Sequence, residues 1–360
     1  MRNSTKIALS TLTLAAVVSA ALAQGVSPAA ALAKLGSKVY STGPNGEQPA
    51  SASSVTLTPA EIAKVKDMKA TAAIVLHYGG NDWSNAQVDG LKARFAELGV
   101  TVIAVTDAGF KPEKQVSDLE TVSARKPSVI VSIPTDPVAT ASEYKKVAAA
   151  GIKLVFMDNV PKGMTAGKDY TSVVSSDNYG NGIASAHLMA QALGSKGNIG
   201  IIYHSADFFV TKQRYMAFKA TIKQFPNIKV LDIFYHKETP QDAVAKIEQV
   251  MQANPDITGW GLLGGWPLFT DNALKWQPGT VKCVCVDALP QQLPYVRSGH
   301  VQLLLSQDVY GYGYKSVDHL VNKLHLKKDP ALALDNSPLT PVTRDNVDAF
   351  AKNWEKWLPK

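Results

Sequence analysis

Cysteine is nearly absent, since the chain of 360 residues holds only Cys283 and Cys285. The two stand two positions apart in an apolar stretch, so both side chains would face the same side of a strand. Residues at that spacing rarely reach disulfide geometry, and we expect packed free thiols. Neither cysteine lies near the beginning of the chain, so we expect no lipid anchor there.

The signatures of common enzymes are missing as well. No two of the seven histidines have the metal-ligand spacing of a His-Glu-x-x-His helix. The sequence contains no Gly-x-Ser-x-Gly nucleophile turn and no Gly-x4-Gly-Lys-Ser/Thr phosphate loop. We therefore expect no enzymatic activity, no metal site and no cofactor.

Long runs of one charge are also missing. The net charge is +7, and the Lys and Arg residues are scattered along the chain rather than gathered into one stripe. Such a distribution indicates a solvated surface, and we expect no nucleic-acid partner. The hydrophobic fraction of 46% is that of a globular protein.

The first residues have the order of a secretory signal. Arg2 and Lys6 give a positive start, an apolar stretch follows over residues 7–18, and a small-x-small cleavage site precedes Gln24. This order predicts a cleaved signal peptide at residues 1–23. No other segment is long and apolar enough for a membrane span. We expect a periplasmic protein without a lipid anchor.

From residue 71 onward, short apolar runs alternate with amphipathic stretches. One such stretch carries an apolar stripe at helical spacing, formed by Val88, Leu91, Phe95 and Leu98. Continuous short apolar runs are typical of strands that helices cover on both faces. The runs occupy residues 73–76, 100–105, 129–133, 154–157, 199–203, 230–234, 260–263, 281–286 and 301–305.

Repeated strand–helix–strand units predict parallel sheets with right-handed crossovers. There are too many units for one compact open sheet, so we expect an α/β protein with two doubly wound parallel-sheet lobes. We place the first crossing between the lobes near residues 175–178. A single eight-stranded α/β barrel is the alternative fold.

Polar and aromatic side chains collect at the carboxyl ends of the predicted strands, where open α/β sheets bind their ligands. Tryptophan faces pack against sugar C–H groups, while carboxylates, amides and the Arg fork bind hydroxyls in fixed geometry. A pocket between two lobes can enclose nearly all of a small sugar or polyol. The candidate ligand-binding residues are His77, Asn81, Asp82, Trp83, Asp158, Asn159, Asp207, Phe208, Arg214, Trp266, Asp287 and Gln307.

Several motifs, taken in order along residues 71–340, resemble those of periplasmic ribose-binding-type proteins. They are Asn81-Asp82-Trp83-Ser84 before a helix, the strand-end segments 155–159 and 284–287, the crossing at 174–178, Arg214 with Phe218 at a helix start, and Ser306-Gln307. The resemblance implies the type I periplasmic binding protein fold with a three-segment hinge. It also implies ligand contacts for most of the candidate residues and, as partners, an inner-membrane ABC permease with its ATPase.

Three departures from that family's pattern bear on the ligand. Ser84 stands where the family has a second aromatic residue after Trp83. Gly264-Gly265 followed by Trp266 stands where the family usually has Asn-Asp, and Asn159 stands where it usually has Arg. These changes argue against ribose itself. They also suggest that Trp266 supplies a stacking face for the ligand.

We divide the chain on this basis into an arm and two lobes. Within the arm, Thr58 and Pro59 predict the start of a helix that runs to Met68. We expect the protein to be a monomer. After the signal peptide, the arm is 24–70, the N-terminal lobe is 71–176 with 308–336, and the C-terminal lobe is 177–307 with 337–360.

Three other functions compete with a sugar receptor for import. The lactose-repressor family shares this two-lobed core, but such a regulator needs a DNA-binding helix-turn-helix where we predict a signal peptide. An α/β enzyme acting on a carbohydrate would need a base and a nucleophile within hydrogen-bond reach, and no spacing demands them. A protein that presents another polar solute or signalling molecule to a chemoreceptor fits the sequence as well.

Overall fold

The computed structural model describes residues 27–35, 38–50, 55–204, 208–237, 239–321, 334–337 and 339–358. The predicted signal peptide at 1–23 lies outside these residues. The described chain forms two lobes, each built on a mainly parallel β-sheet with helices on both faces. We call the lobe with the seven-stranded sheet the N-lobe and the lobe with the six-stranded sheet the C-lobe.

The N-lobe sheet is parallel throughout. Its strands are β1 (Pro49–Ala50), β2 (Thr71–Leu76), β3 (Thr101–Asp107), β4 (Val129–Ser132), β5 (Lys153–Met157), β6 (Val173–Ser176) and β12 (Leu334–Ser337). Their order across the sheet is β1-β12-β6-β5-β4-β2-β3.

The C-lobe sheet is parallel except for one edge strand. Its strands are β7 (Gly197–His204), β8 (Ile228–His236), β9 (Gly259–Leu262), β10 (Lys282–Val286), β11 (Leu303–Ser306) and β13 (Thr340–Val342). Their order is β13-β11-β10-β9-β7-β8, and β13 runs antiparallel to β11.

Helices connect the strands and cover the sheets. They are α1 (Pro28–Leu35), α2 (Pro59–Asp67), α3 (Asp82–Glu97), α4 (Pro112–Ala124), α5 (Ala141–Ala149), α6 (Asn178–Ala192), α7 (Phe209–Ile222), α8 (Pro240–Ala253), α9 (Leu293–Ser298), α10 (Val309–Val321) and α11 (Val347–Trp357). Among these described residues, every helix is too short or too polar to cross a lipid bilayer.

Strand β2 shows why a short apolar run becomes a central strand. Ala72 and Ile74 pack into the core cluster that also holds Phe95 of α3, whereas Ala73 and Val75 pack into the cluster on the opposite face. Both faces are therefore buried, as parallel sheets require. All the predicted apolar runs overlap observed strands, which confirms two doubly wound lobes, and the two separate sheets exclude the barrel.

Four observed strands do not correspond to any of the predicted apolar runs. Strands β1, β12 and β13 are short, and their sequences contain proline or polar residues that indicate no strand by themselves. Each is held by pairing with a neighbour, β1 with β12, β12 with β6 and β13 with β11. Strand β6 ends at Ser176, inside the predicted first crossing near residues 175–178. Tertiary pairing, which sequence periodicity does not report, determines these strands.

The two cysteines lie where a strand of the C-lobe passes through the core. Cys283 and Cys285 both belong to β10, both are free, and both are fully buried in one core cluster. Burial raises the pKa of both thiols. The prediction of packed free thiols is confirmed.

The chain passes between the two sheets at three places: between β6 and α6, between β11 and α10, and between β12 and β13. The first passage is Ser176 to Asn178, and Asp177 caps α6 by accepting a hydrogen bond from the Gly180 N–H at 2.9 Å. In the arm, α2 begins at Pro59 as predicted and ends one residue before Met68.

Glycine lets two helices touch through their backbones in each lobe. A Cβ atom on Gly90 of α3 would lie 2.3 Å from the Tyr310 carbonyl oxygen of α10. A Cβ atom on Gly182 of α6 would lie 2.2 Å from the Arg214 carbonyl oxygen of α7. Since the obstructing atoms are backbone, a larger residue would force the helices apart.

We therefore expect Gly90→Ala and Gly182→Ala each to lower the free energy of unfolding by roughly 1–3 kcal/mol through overpacking. Urea unfolding of the purified variants measures this loss. Asn85→Ala is the matched control, because Asn85 lies on the exposed face of α3. We expect the control to stay within about 0.5 kcal/mol of the parent. Glycine variants as stable as the control would contradict the close helix contacts.

Candidate functional site

A cavity lies between the lobes, at the carboxyl ends of parallel strands from both sheets, which is where α/β sheets bind ligands. Among the described residues, no group of three or more His, Cys, Asp or Glu side chains could hold a metal ion. The cavity walls are His77, Tyr78, Trp83, Asp158, Phe208, Val210, Thr211, Arg214, Trp266, Phe269, Asp287 and Gln307.

Asp158 and Asp287 occupy equivalent places in the two lobes, since Asp158 follows β5 and Asp287 follows β10. Both are buried, and both have left-handed backbone conformations, with φ of 60° and 68°. That conformation costs most residues about 1–2 kcal/mol, and Asp is among the side chains that tolerate it. Strain of this kind persists where surrounding contacts hold it, commonly at binding sites.

The Asp158 carboxylate is held from the hinge. Ser175 donates its hydroxyl to Asp158 Oδ1 at 2.6 Å. Asn178 in turn donates its amide to the Ser175 hydroxyl at 3.0 Å. Residues of the first crossing therefore fix the orientation of this N-lobe carboxylate.

Arg214 is the buried cation of the site. Its Nε donates to Asn178 Oδ1 at 2.8 Å, and its Nη1 donates to the Leu263 carbonyl at 3.3 Å. Helix α7 begins at Phe209, so Arg214 lies in its second turn rather than at its start, which corrects the prediction. This depth in the helix places the guanidinium inside the molecule with only 3% exposure.

Asp287 lies in the field of that cation. Burial raises the pKa of its carboxyl, while the charge of Arg214 and a hydrogen bond from Gln307 act in the opposite direction. Gln307 donates through Nε2 to Asp287 Oδ1 at 2.5 Å. Because Gln307 follows β11 at the second crossing, this carboxylate too is tied to the hinge.

Aromatic rings fill the N-lobe side of the cavity. His77 stacks on Phe208 of the C-lobe, with ring centroids 5.3 Å apart and planes 15° apart. Tyr78 stacks between Trp83 at 5.7 Å and Phe110 at 4.5 Å. Burial lowers the pKa of His77, and the nearby His204 lowers it further. The result is an apolar wall in which an uncharged imidazole is favoured.

A second aromatic wall belongs to the C-lobe. Trp266 packs against His204 at 4.8 Å and Phe269 at 6.1 Å. A Cβ atom on Gly264 would lie 2.4 Å from the Trp266 ring, and one on Gly265 would lie 2.5 Å from the Phe269 ring. The two glycines after β9 therefore make room for both rings against the backbone.

The lobes are closed on each other. The Gln291 amide of the C-lobe donates to Asp82 Oδ2 of the N-lobe at 2.8 Å, and the His77–Phe208 stack also joins the lobes. The cavity that remains measures about 30 Å³, room for about two water molecules. A ligand of sugar size can therefore enter only when the lobes or the wall side chains move.

Three predicted ligand contacts are not among the cavity walls, and a fourth lies outside the described residues. Asn81 caps α3 by accepting a hydrogen bond from the Ser84 N–H at 3.0 Å. Asp82 makes the contact across the mouth of the cleft. Asn159 is buried and donates to a backbone carbonyl at 3.2 Å. Asp207 lies outside the described residues.

Four wall residues were not predicted. Tyr78 directly follows His77 at the end of β2, so the strand-end rule could have included it. Phe269 follows the short 3₁₀ turn after β9, three residues beyond Trp266. Val210 and Thr211 lie in the first turn of α7, and neither residue type carries a signal for a binding site.

A family model described as a periplasmic binding protein domain matches residues 72–328. That span contains every wall of the cavity and all three charged groups that face it. Residues 27–50, which include α1 and β1, lie before the matched span.

Individual proteins resemble the chain as well. A D-apiose import binding protein of Paraburkholderia graminis is 28% identical over 189 residues, which are 52% of this chain and 59% of that protein. The chain thus matches about three fifths of that relative's length.

Two solved structures resemble it over a longer span. An ABC transporter solute-binding protein from Agrobacterium vitis, bound with alpha-D-tagatopyranose, is 26% identical with a TM-score of 0.72, covering 79% of this chain and 98% of that one. An arabinose-binding protein from Geobacillus stearothermophilus is 26% identical with a TM-score of 0.64, covering 78% and 99%.

The lowered pKa of His77 predicts a loss of stability in acid. The unfolded chain binds a proton near the ordinary value of 6.5, whereas the folded protein resists protonation at His77. The contribution is therefore complete above that value and is lost as the pH falls below it. His77→Phe keeps a ring against Phe208 but cannot be protonated, so its stability should fall less in acid.

Melting temperatures of the parent and of His77→Phe between pH 8 and pH 5.5 measure the difference. Burial also lowers the pKa of His187, which adds to the decline in both proteins, so only the difference between their slopes reports on His77. Parallel curves would show that protonation of His77 is not resisted by the fold.

Proposed function

Because the chain belongs to the family of periplasmic binding protein domains, we propose that it captures a sugar or polyol between its two lobes and delivers it to an ABC importer. The relatives support this proposal through what they bind: one imports D-apiose and another was solved with tagatopyranose. The role is that of a receptor without catalysis, located in the periplasm and working as a monomer.

One observation carries the proposal. Two carboxylates and one guanidinium, Asp158, Asp287 and Arg214, line the same cavity and come from both lobes. Carboxylates accept hydrogen bonds from ligand hydroxyls, and a guanidinium donates to hydroxyl and ring oxygens. A neutral polyhydroxylated ligand can use both kinds of group at once.

The aromatic walls fit the remaining surface of such a ligand. Trp83 and Trp266 line the cavity from opposite lobes. His77, Tyr78 and Phe208 add further ring faces. Sugar rings present C–H groups that pack on aromatic faces while their hydroxyls point outward to polar groups. We therefore propose these rings, together with the three charged groups and Gln307, as the ligand-contacting surface.

Binding then couples to hinge closure. In the open form, the carboxylates and the guanidinium face water. A ligand bound first to one lobe supplies hydrogen-bond partners to the other, so closure becomes favourable when the ligand is present. The closed form is the shape that a permease can recognise.

A thermal-shift screen of the mature chain tests the ligand class. D-apiose, D-tagatose, arabinose and other pentoses, hexoses and polyols form one panel, and amino acids form the other. A ligand at 100 times its dissociation constant adds about 2.7 kcal/mol of apparent stability. We expect a rise in melting temperature with at least one member of the sugar panel. A response to amino acids alone would replace the carbohydrate assignment.

Substitution of the carboxylates tests the site. Asp158→Asn and Asp287→Asn suit the left-handed backbone, which Asn tolerates. Hydrogen bonds to charged groups contribute about 1.5–3 kcal/mol, so each variant should bind the active sugar roughly tenfold to a hundredfold more weakly by calorimetry. The control is Asp107→Asn, at the end of β3, because Asp107 is not among the cavity walls. Equal affinity in all three variants would refute this site.

A further inference from the structure

Residues 38–50, which we call the strap, precede the family domain and run along the first crossing between the lobes. On the N-lobe side, the Asn45 amide donates to the Met164 carbonyl at 3.0 Å, and β1 at the end of the strap pairs with β12. On the C-lobe side, the Gln213 amide of α7 donates to the Thr42 carbonyl at 3.2 Å. The strap therefore contacts both lobes.

Two anchors hold the strap, one in each lobe. Before it, Leu32 and Leu35 of α1 pack against the core cluster of α6 in the C-lobe. Within it, Glu47 is buried and accepts a hydrogen bond from the Tyr170 hydroxyl of the N-lobe. One anchor therefore lies in each lobe, so the strap spans the hinge.

One carboxylate on the crossing holds the middle of the strap. Asp177 Oδ2 accepts from the Tyr40 N–H at 3.1 Å, and Oδ1 accepts from the Ser41 N–H at 2.9 Å and the Ser41 hydroxyl at 2.8 Å. The Ser41 hydroxyl accepts from the Tyr179 N–H at 2.8 Å. Since Asp177 also caps α6 through Gly180, strap, crossing and helix meet at one side chain.

The neighbours of Asp177 in the sequence hold the charged groups of the cavity. Ser175 binds the Asp158 carboxylate, and Asn178 binds both Ser175 and the Arg214 guanidinium. The clamp on Asp177 therefore acts on the segment that orients one carboxylate and the cation of the site.

The strap also packs closely behind the site. A small void is walled on one side by residues 41–44 of the strap and on the other by residues that include Asp158, Asn178 and Val210. Asp158 and Val210 also line the ligand cavity. The void measures about 10 Å³, at the lower limit for one water molecule, so the strap forms a close-packed backing to the cavity.

We propose that Ser41 and Asp177 form a clamp through which the strap positions the first crossing and restrains separation of the two lobes. They are positioning residues, since neither lines the ligand cavity. The effect on ligand release rests on the proposed function, whereas the restraint on the lobes does not.

Distance measurement between the lobes tests the restraint directly. Glu113→Cys and Gln241→Cys place spin labels on exposed positions in the first turns of α4 and α8, which follow the outer edge strands β3 and β8. The native cysteines are fully buried and will not be labelled. Double electron–electron resonance on the unliganded full chain then gives the distribution of lobe separations.

Two variants weaken the clamp in different ways. Ser41→Ala removes the hydroxyl, and Asp177→Asn keeps the cap of α6 but puts an amide N–H₂ opposite the Tyr40 N–H. Both should broaden the distribution toward longer distances. Thr42→Ala is the matched control, because Thr42 is exposed and contacts Gln213 through its carbonyl alone. Distributions that equal the parent and control in both clamp variants would overturn the proposal.

Release kinetics test the consequence for binding. Stopped-flow fluorescence with whichever of D-apiose, D-tagatose and arabinose binds the parent should show release about tenfold faster in the clamp variants, as expected for loss of hydrogen bonds to a carboxylate. If the distribution of distances broadens but the release rate does not change, the clamp restrains the lobes without positioning the site, and the positioning role is overturned. If none of the three sugars binds, the proposed function loses its support, and the distances alone decide on the clamp.

Discussion

The burial of three charged side chains between the lobes is the constraint on which the site depends. Asp158, Asp287 and Arg214 are all at least nine-tenths buried, and an unpaired buried ion costs several kcal/mol. Each is therefore held by neutral donors or acceptors from the crossings: Ser175, Gln307 and Asn178. The hinge and the charged groups form one hydrogen-bonded unit. Movement at the hinge consequently changes the environment of every charge in the cavity.

The two lobes meet this constraint by the same local device. In each, a parallel strand is followed by an aspartate with left-handed backbone, at the edge where the carboxyl ends of the parallel strands gather. Parallel packing makes that gathering unavoidable, because parallel strands point the same way and the connecting helices return outside the sheet. Close backbone contacts at Gly90 and Gly182 then hold together the pairs of helices that cover the two sheets. The direction of the strands thus determines where the site lies, and the residue types at the strand ends determine what it can bind.

This is why so much of the site could be predicted from the sequence. Apolar runs located the strands. The residue directly after a run gave His77, Asp158 and Asp287, and the second residue after a run gave Gln307. The position one residue further on does not follow a fixed rule, since successive side chains at a strand end point in different directions. Tyr78 lines the cavity at such a position. Asp158 faces the cavity, while Asn159 turns to a backbone carbonyl. Val210 and Thr211 reach the cavity because α7 begins before Arg214, a boundary that composition does not reveal.

The strap was beyond prediction for a different reason. Its bonds to Asp177 join residues 136 and 137 positions apart, and no local pattern encodes such a pairing. Its effect on binding follows from the equilibrium between open and closed lobes. If the unliganded protein is mostly open, any contact that disfavours opening raises the fraction of closed molecules. The apparent affinity for a ligand held by the closed lobes then rises in proportion. Once the closed form dominates, the same contact can add nothing further to affinity and only slows exchange. A restraint on the hinge thus acts on residence time over a wider range than on affinity, which fits the proposed delivery of a bound sugar to an importer.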